Sequence, residues 1–181
     1  MQGTRTNQRR IILSLILPLA IVVVLIFVDQ ISKVAFKNLY LENGKTTVID
    51  GFFYFSFLEN KGAMWGFLSN KVWAQTFFKI FTGLALVAFV FYFVYAYKKG
   101  YRWLKYAIVL IIAGTIGNYV DRLLFNSVRD FIGFIFGTYY FPIFNFADCF
   151  LVIGVVMVVI HYLFLDKNAV FGKKNGKKTD C

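Results

Sequence analysis

The chain has 181 residues, of which 59% are hydrophobic, and a formal net charge of +11. Its mean hydropathy of +0.65 argues against a water-soluble domain, because soluble chains are closer to half apolar. The basic residues flank long apolar runs, which favours a membrane protein over a nucleic-acid-binding protein. The length suits one domain, here a single membrane domain over residues 1–181.

Four apolar stretches are long enough to cross a bilayer as helices, which requires about 20 residues. They cover approximately residues 11–28, 73–97, 106–125 and 144–165. The first stretch has a cleaved signal peptide as its alternative interpretation. No small-residue cleavage site follows it and Asp29-Gln30 closes it, which favours a retained span. The predicted fold class is therefore an α-helical membrane protein with four transmembrane helices.

A β-rich segment is predicted between the first two spans, over residues 45–70. Residues 48–58 are mostly β-branched and aromatic, and the turn-forming sequences Asn43-Gly44 and Asn60-Lys61-Gly62 flank them. This composition predicts strands of a small sheet that rests on the membrane.

The distribution of basic residues predicts the orientation of the chain. Lysine and arginine precede the first span, separate the second from the third, and fill the tail at 166–181. The positive-inside rule places both termini and the 98–105 loop in the cytoplasm, with 29–72 and 126–143 outside. The basic tail is expected to be a cytoplasmic anchor to anionic lipid.

Acidic residues at membrane depth are candidates for function, because burying a charge in a bilayer is unfavourable. With a helical rise of about 1.5 Å per residue, Ile11 to Asp29 spans roughly 27 Å. The same rule gives roughly 22 Å from Tyr106 to Asp121 and roughly 26 Å from Leu165 back to Asp148. The three carboxylates therefore reach a similar level near the outer boundary, and the connection that carries Asp130 can fold back over it.

Two similar patterns lie at this level, Asn118–Asp121 at the end of the third span and Asn145–Asp148 at the start of the fourth. A spacing of three places each Asn and Asp on neighbouring helix faces, and antiparallel helices bring the two pairs together. Gly114 and Gly117 form a small-residue strip that permits close helix approach. Gly114, Asn118 and Arg122 form a stripe that is expected to line a polar cleft, with Arg122 at its mouth.

Two carboxylates that share a site cannot easily both ionise, so an acid and a base coexist near neutral pH. Such a pair can activate water against an amide carbonyl and protonate the leaving nitrogen. Spacing alone leaves as alternatives a polar cluster that only joins helices, a small transporter or channel, and a non-enzymatic assembly protein. His161 lies roughly 20 Å from Asp148 along the same helix, and no serine lies on the polar stripe, which disfavours metal and serine chemistry.

Five motifs, in order along residues 11–165, carry a resemblance to a known family. They are Asp29-Gln30-Ile31-Ser32-Lys33, Asn60-Lys61-Gly62-Ala63, the run from Gly114 to Arg122 (GTIGNYVDR), Val128-Arg129-Asp130-Phe131 and Phe144-Asn145-Phe146-Ala147-Asp148. The chain resembles the bacterial lipoprotein signal peptidases, also called signal peptidase II.

The resemblance implies an aspartic endopeptidase that cuts a diacylglyceryl-modified prolipoprotein just before the lipidated cysteine. It implies Asp130 and Asp148 as the catalytic pair, whereas spacing alone leaves Asp121 an equal candidate. Asp121 would then be a structural neighbour oriented toward Arg122 or another basic group. The positions that match the family's substrate-positioning or supporting residues are Asp29, Lys33, Asn60, Gly62, Gly114, Asn118, Asp121, Arg122, Val128, Asn145 and Ala147.

The resemblance also implies a setting for the enzyme. The expected localisation is the bacterial plasma membrane, with the active site on the extracytoplasmic face. The expected partners are the prolipoprotein and membrane lipid, with no nucleic acid, and the chain is expected to act as a monomer. No cofactor and no metal are expected.

Overall fold

The computed structural model describes residues 2–62, 71, 73–166 and 169–170, with side chains from residue 13 onward. Four helices long and apolar enough to cross a membrane lie in these ranges, together with a four-stranded antiparallel sheet. The predicted fold class is confirmed. The part of the predicted segment 45–70 beyond Gly62 and most of the tail 166–181 lie outside the described residues.

Helix α1 covers Gln2–Asn43, far beyond the stretch 11–28 that was predicted as the first span. The predicted end of the first helix at residue 28 is therefore wrong, because the helix continues through Asn43. Asp29 does not end the helix, because Lys33 one turn later pairs with its carboxylate at 2.8 Å. The helix ends before Gly44, which has φ +67°, a conformation that glycine adopts without strain.

The other helices are α2 (Ala74–Lys99), α3 (Arg102–Phe125) and α4 (Phe146–Ile160), which continues as a π-helical turn over His161–Leu165. Gly100, at φ +71°, closes α2 by donating its N–H to the carbonyls of Ala96 and Tyr97. Helix α3 is central and buries about half of its residues, whereas α2 buries only Ala74 and Ala96. The outward faces of α1, α2 and α4 remain apolar, as a lipid environment requires.

Close packing of α3 on its neighbours depends on glycine. A Cβ on Gly114 would lie 2.3 Å from the carbonyl oxygen of Ala147 in α4. A Cβ on Gly117 would lie 2.6 Å from the Asp29 carboxylate in α1. The small-residue strip therefore brings the polar ends of α1, α3 and α4 together.

The sheet has the order β1-β2-β3-β4, with β1 Thr46–Ile49, β2 Phe53–Asn60, β3 Val128–Phe136 and β4 Tyr139–Tyr140. Strands β3 and β4 come from the segment after α3, where the sequence analysis predicted only an outer connection. In the register of β2 and β3, Leu58 lies opposite Asp130 and Asn60 opposite Val128. Phe36 of α1 stacks on Phe55 and Phe131, with ring centroids 4.2 and 4.5 Å away, which fixes the sheet on α1.

Candidate active site

Asp130 and Asp148 line the same cleft, which has a volume of about 670 Å³. Asp130 is 2% exposed on β3, and Asp148 is half-buried in the first turn of α4. Because β3 returns over the end of α3 and α4 begins beside it, a strand and a helix each contribute one carboxyl group. None of the ion pairs among the described residues includes either carboxyl group.

Asn145 joins the two carboxyl groups. Its Nδ2 donates to Asp130 Oδ1 at 2.6 Å, and its backbone N–H donates to Asp148 Oδ2 at 3.1 Å. Its side-chain oxygen accepts from the backbone N–H of Asp148 at 3.0 Å, which completes a capping box at the start of α4. The residue that begins the helix therefore also sets the relative position of the two acids.

Two further amides hold the carboxyl groups. Asn60, at the end of β2, donates to Asp130 Oδ2 at 3.2 Å, and Asn118 of α3 donates to Asp148 Oδ1 at 2.7 Å. The orientation of the Asn118 amide is set from behind, because its oxygen accepts from Lys33 and from Asn145, each at 3.1 Å. The acids are thus held by neutral donors that are themselves fixed by neighbours.

Burial raises the pKa of Asp130 from 3.8 to about 7, and the nearby charge of Asp148 acts in the same direction. The hydrogen bonds from Asn60 and Asn145 oppose this shift without cancelling it. Near neutral pH the pair therefore retains a proton that an isolated carboxyl group would lose.

A second group of acids lies behind the cleft and does not line it. Asp121 pairs with Arg129 at 2.7 Å and with Lys33 at 3.3 Å, and Lys33 also pairs with Asp29. Gln30 donates to both carboxylates and accepts from Arg129. We call Asp29, Lys33, Asp121 and Arg129 the ion-pair network; its two carboxylates and two cations balance in charge.

The ion-pair network decides how the elements meet. Asp29 of α1 accepts from the backbone N–H of Ala147 at 3.0 Å, in the first turn of α4, where the helix dipole favours a negative charge. Arg129 of β3 holds Asp121 with its guanidinium and its backbone N–H. The cations paired with Asp121 are thus Arg129 and Lys33, and not the adjacent Arg122.

The remaining sequence-predicted residues divide between these two places. Asn60, Gly62, Asn118, Arg122 and Val128 line the cleft. Gly114 and Ala147 lie at the α3–α4 contact. The Arg122 guanidinium lies 5.5 Å from the ring centroid of Phe78. Sequence reasoning assigned no role to Gln30 or Arg129, although both lie within motifs that it quoted.

The opposite wall of the cleft is apolar. Sequence reasoning assigned none of its residues, because hydrophobic side chains in a spanning segment resemble ordinary lipid-facing ones. They are Phe141, Pro142, Ile143, Phe144, Leu151, Val152 and Ile153. The cleft therefore offers a polar floor with two acids beside a hydrophobic wall.

The chain matches a known protein family over most of its length. The family described as signal peptidase (SPase) II matches residues 21–164. The chain belongs to the signal peptidase II family. The resemblance drawn from the five motifs is confirmed, and the chain is a multi-pass membrane protein and a peptidase. The peptidase assignment is what the transporter and assembly alternatives did not predict.

Named relatives agree with this family. The lipoprotein signal peptidase of Bacillus pumilus (strain SAFR-032) is 39% identical over 157 residues, which is 86% of this chain and 94% of the relative. That of Listeria monocytogenes serotype 4a (strain HCC23) is 36% identical over 155 residues, 85% of this chain and 97% of the relative.

Two solved structures, both described as bacterial membrane enzymes determined by the in meso method, share the fold. One, at 2.3 Å resolution, is 34% identical with a TM-score of 0.65, and the match covers 81% of this chain and 87% of the solved chain. The other, at 1.9 Å, is 36% identical with a TM-score of 0.65 and covers 82% of this chain and 94% of its own.

Proposed function

We propose that this signal peptidase II is an aspartic endopeptidase with Asp130 and Asp148 as its catalytic pair. Its substrate is a prolipoprotein whose cysteine already carries diacylglycerol, and it cuts the peptide bond just before that cysteine. The observation that carries the proposal is the placement of both carboxyl groups in one cleft, linked through Asn145.

The chemistry follows from one proton shared by the pair. The ionised carboxylate takes a proton from water, the resulting hydroxide oxygen bonds to the scissile carbonyl carbon, and the protonated carboxyl group donates to the leaving nitrogen. When the carbon–nitrogen bond breaks, the pair again holds one proton. The raised pKa of Asp130, about 7, supports this scheme because the proton is still present near neutral pH.

The walls of the cleft suit a lipid-modified substrate. A signal peptide is an apolar helix, and its modified cysteine carries acyl chains, so the hydrophobic wall from Phe141 to Ile153 can accept both. Arg122 and the amides of Asn60 and Asn118 can donate to carbonyls of an extended peptide. Gly62 and Val128 line the same cleft, so they would contact such a peptide.

The membrane setting supports the same function. Asp121 lies near the end of α3 and Asp148 in the first turn of α4, so the cleft lies where the bundle meets the sheet. We propose that this end is extracytoplasmic, because basic residues concentrate at the opposite end. Both termini are then cytoplasmic, the membrane is the bacterial plasma membrane, and the enzyme acts as a monomer.

The test is cleavage of a purified precursor, lipidated or not, by wild type, Asp130→Asn and Asp148→Asn. Both variants should lose at least about 10²-fold in rate, since general acid–base catalysis contributes about 10²–10⁴-fold. They should retain their circular dichroism spectrum and their insertion in membranes. Asp50→Asn is the matched control, because Asp50 is exposed in the turn between β1 and β2.

Full activity of either variant would refute the catalytic pair. Equal rates on lipidated and unlipidated precursor would refute the assigned substrate while leaving the acid–base chemistry in place. Loss of activity in Asp50→Asn to the same extent would show that the assay reports general carboxylate charge.

A further inference from the structure

A second pocket lies at the other end of the helical bundle, between α1, α2 and α3. Its volume is about 360 Å³. Three cationic side chains line it, Lys98, Arg102 and Lys105, together with Ser14 and Tyr97. Its lining within the described residues contains no carboxylate, and the carboxylate of Asp166 interacts with the hydroxyl of Tyr101 and forms an ion pair with none of these three cations. We call it the basic-end pocket.

Among the cations of the basic-end pocket, Lys105 is the one whose contacts explain its burial least. It is only 8% exposed, and its Nζ lies 3.5 Å from the Ser14 carbonyl oxygen and 4.8 Å from the ring centroid of Tyr106. None of the ion pairs among the described residues includes it. A buried cation with such weak partners is unfavourable, and an anion in the pocket would supply what it lacks.

The start of α3 adds a further preference for an anion. Tyr101, the residue before the helix, provides no side-chain cap, and the first turn contains no acidic residue. The first N–H groups of a helix carry partial positive charge and commonly bind phosphate. Tyr101 and Arg102 both line the pocket, so this positive end lies at its rim.

The position of the pocket relative to the bilayer indicates the source of the anion. Helix α3 has 24 residues, about 36 Å of rise, whereas the hydrocarbon core is about 30 Å thick. Arg102 therefore lies at headgroup level when the rest of α3 spans the membrane. Tyr95, Trp103 and Tyr162, each partly exposed at this end, are typical of the membrane–water interface.

We infer that the basic-end pocket binds the phosphodiester headgroup of an anionic phospholipid. The phosphate oxygens accept from Lys98, Arg102 and Lys105, and the hydroxyls of Ser14 and Tyr97, which are 3.1 Å apart, lie at the same wall. The acyl chains lie outside on the apolar faces of the helices. The lipid would tie α1 to the α2–α3 turn, far from the catalytic pair.

The test uses the full-length purified chain in neutral detergent. Binding is measured by native mass spectrometry with phosphatidylglycerol, with phosphatidylcholine of the same chains, and with inorganic phosphate. Phosphatidylglycerol should bind at least about tenfold more tightly than phosphatidylcholine, and millimolar phosphate should not displace it. Because binding is the readout, the result is independent of whether Asp130 and Asp148 are catalytic.

The variants compare two neighbouring lysines. Lys98→Gln should weaken phosphatidylglycerol binding about fivefold, and Lys98→Gln with Arg102→Gln about 25-fold, since each basic side chain near a membrane surface contributes about 1 kcal/mol. Lys99→Gln should change binding by less than about twofold, because Lys99 is equally exposed but does not line the pocket. Lys105 is too buried to be the only test, as its replacement also removes packing.

Three results would overturn the inference. If Lys99→Gln weakened phosphatidylglycerol binding as much as Lys98→Gln, the lipid would be responding to the total positive charge at this end of the bundle and not to the pocket. Equal affinity for phosphatidylglycerol and phosphatidylcholine would show that the negative charge of the lipid does not determine binding. Displacement by millimolar inorganic phosphate would assign the pocket to a free anion, and not to a lipid.

Discussion

The two groups of acids in this protein lie side by side and are held in opposite ways. In the ion-pair network, Asp29 and Asp121 are matched by Lys33 and Arg129 at 2.7 to 3.3 Å. Among the described residues, the donors to Asp130 and Asp148 are neutral amide and backbone groups. The network thus pairs each carboxylate with a cation, whereas neutral donors leave Asp130 and Asp148 able to share a proton.

Asp29 and Asp121 therefore hold the elements of the site together, whereas Asp130 and Asp148 are placed to transfer protons. A buried carboxylate between two cations has no reason to accept a proton near neutral pH. A carboxyl group beside another one, with no cation in contact, can exchange a proton during a reaction. Replacing one side chain at a time tests this distinction between the two groups of acids.

The largest effect is expected from Asp121→Asn. It leaves Arg129 and Lys33 buried beside a neutral residue, and breaking such a pair costs about 3–5 kcal/mol. Asp130→Asn should cost less than about 1 kcal/mol, because no cation loses its partner. The measurement is the free energy of unfolding in detergent for the two variants, and equal losses would contradict the distinction between the two groups.

A matched measurement on activity completes this prediction. The folded fraction of Asp121→Asn should still cleave, while Asp130→Asn should be folded and inactive. If folded Asp121→Asn is wholly inactive, Asp121 is again a candidate catalytic residue.

The next effect concerns pH. Between the ordinary carboxyl pKa near 4 and the value of about 7 at Asp130, the folded protein binds more protons than the unfolded chain. Its stability should therefore fall as pH rises through this interval, by a few kcal/mol in total. Thermal unfolding at pH 5, 6, 7 and 8 measures the slope, which Asp130→Asn should flatten and Asp50→Asn should preserve.

The activity should respond to the same proton. The rate of cleavage should decline above about pH 7 as Asp130 loses its proton. A rate that rises steadily from pH 7 to 9 would be inconsistent with a shared proton on the pair.

A smaller loss of stability is expected from Asn145→Ala. The change removes the helix cap, worth about 1 kcal/mol, and the donor to Asp130, while the backbone N–H that holds Asp148 remains. Stability should fall by about 1–2 kcal/mol and the rate of cleavage by about 10²-fold, because the two acids lose their common link. Asn145→Asp keeps the cap oxygen but places a carboxylate oxygen where the amide donates to Asp130 Oδ1 at 2.6 Å, so it should recover neither the stability nor the rate.

The smallest effect is expected from Arg129→Lys. The positive charge beside Asp121 remains, but the pair of hydrogen bonds that the guanidinium donates to the two carboxylate oxygens is lost. We expect a loss of about 1 kcal/mol in unfolding free energy and less than about threefold in rate. A loss as large as that of Asp121→Asn would mean that geometry, and not charge balance, stabilises the network.

Part of the site can be predicted from the residues alone. The spacing of Asn118, Asp121, Asn145 and Asp148 predicts polar residues at one level of the membrane, and antiparallel α3 and α4 bring them there. The role of Arg129 cannot be predicted in this way, because it lies in β3, beyond the end of the helix that carries Asp121. The sequence around a charged residue in a connecting segment does not show which residue it will contact in the fold.

The four spans can be predicted from the amino-acid sequence, because hydropathy along the chain decides which segments enter a bilayer. The order of the motifs, and hence the family, can be read from the sequence as well. The folded structure was needed to show that α1 continues to Asn43, that β3 carries Asp130 over the end of α3, and which acids pair with cations. These features depend on contacts between residues distant in the chain, and a contact is a property of the folded arrangement of several elements together.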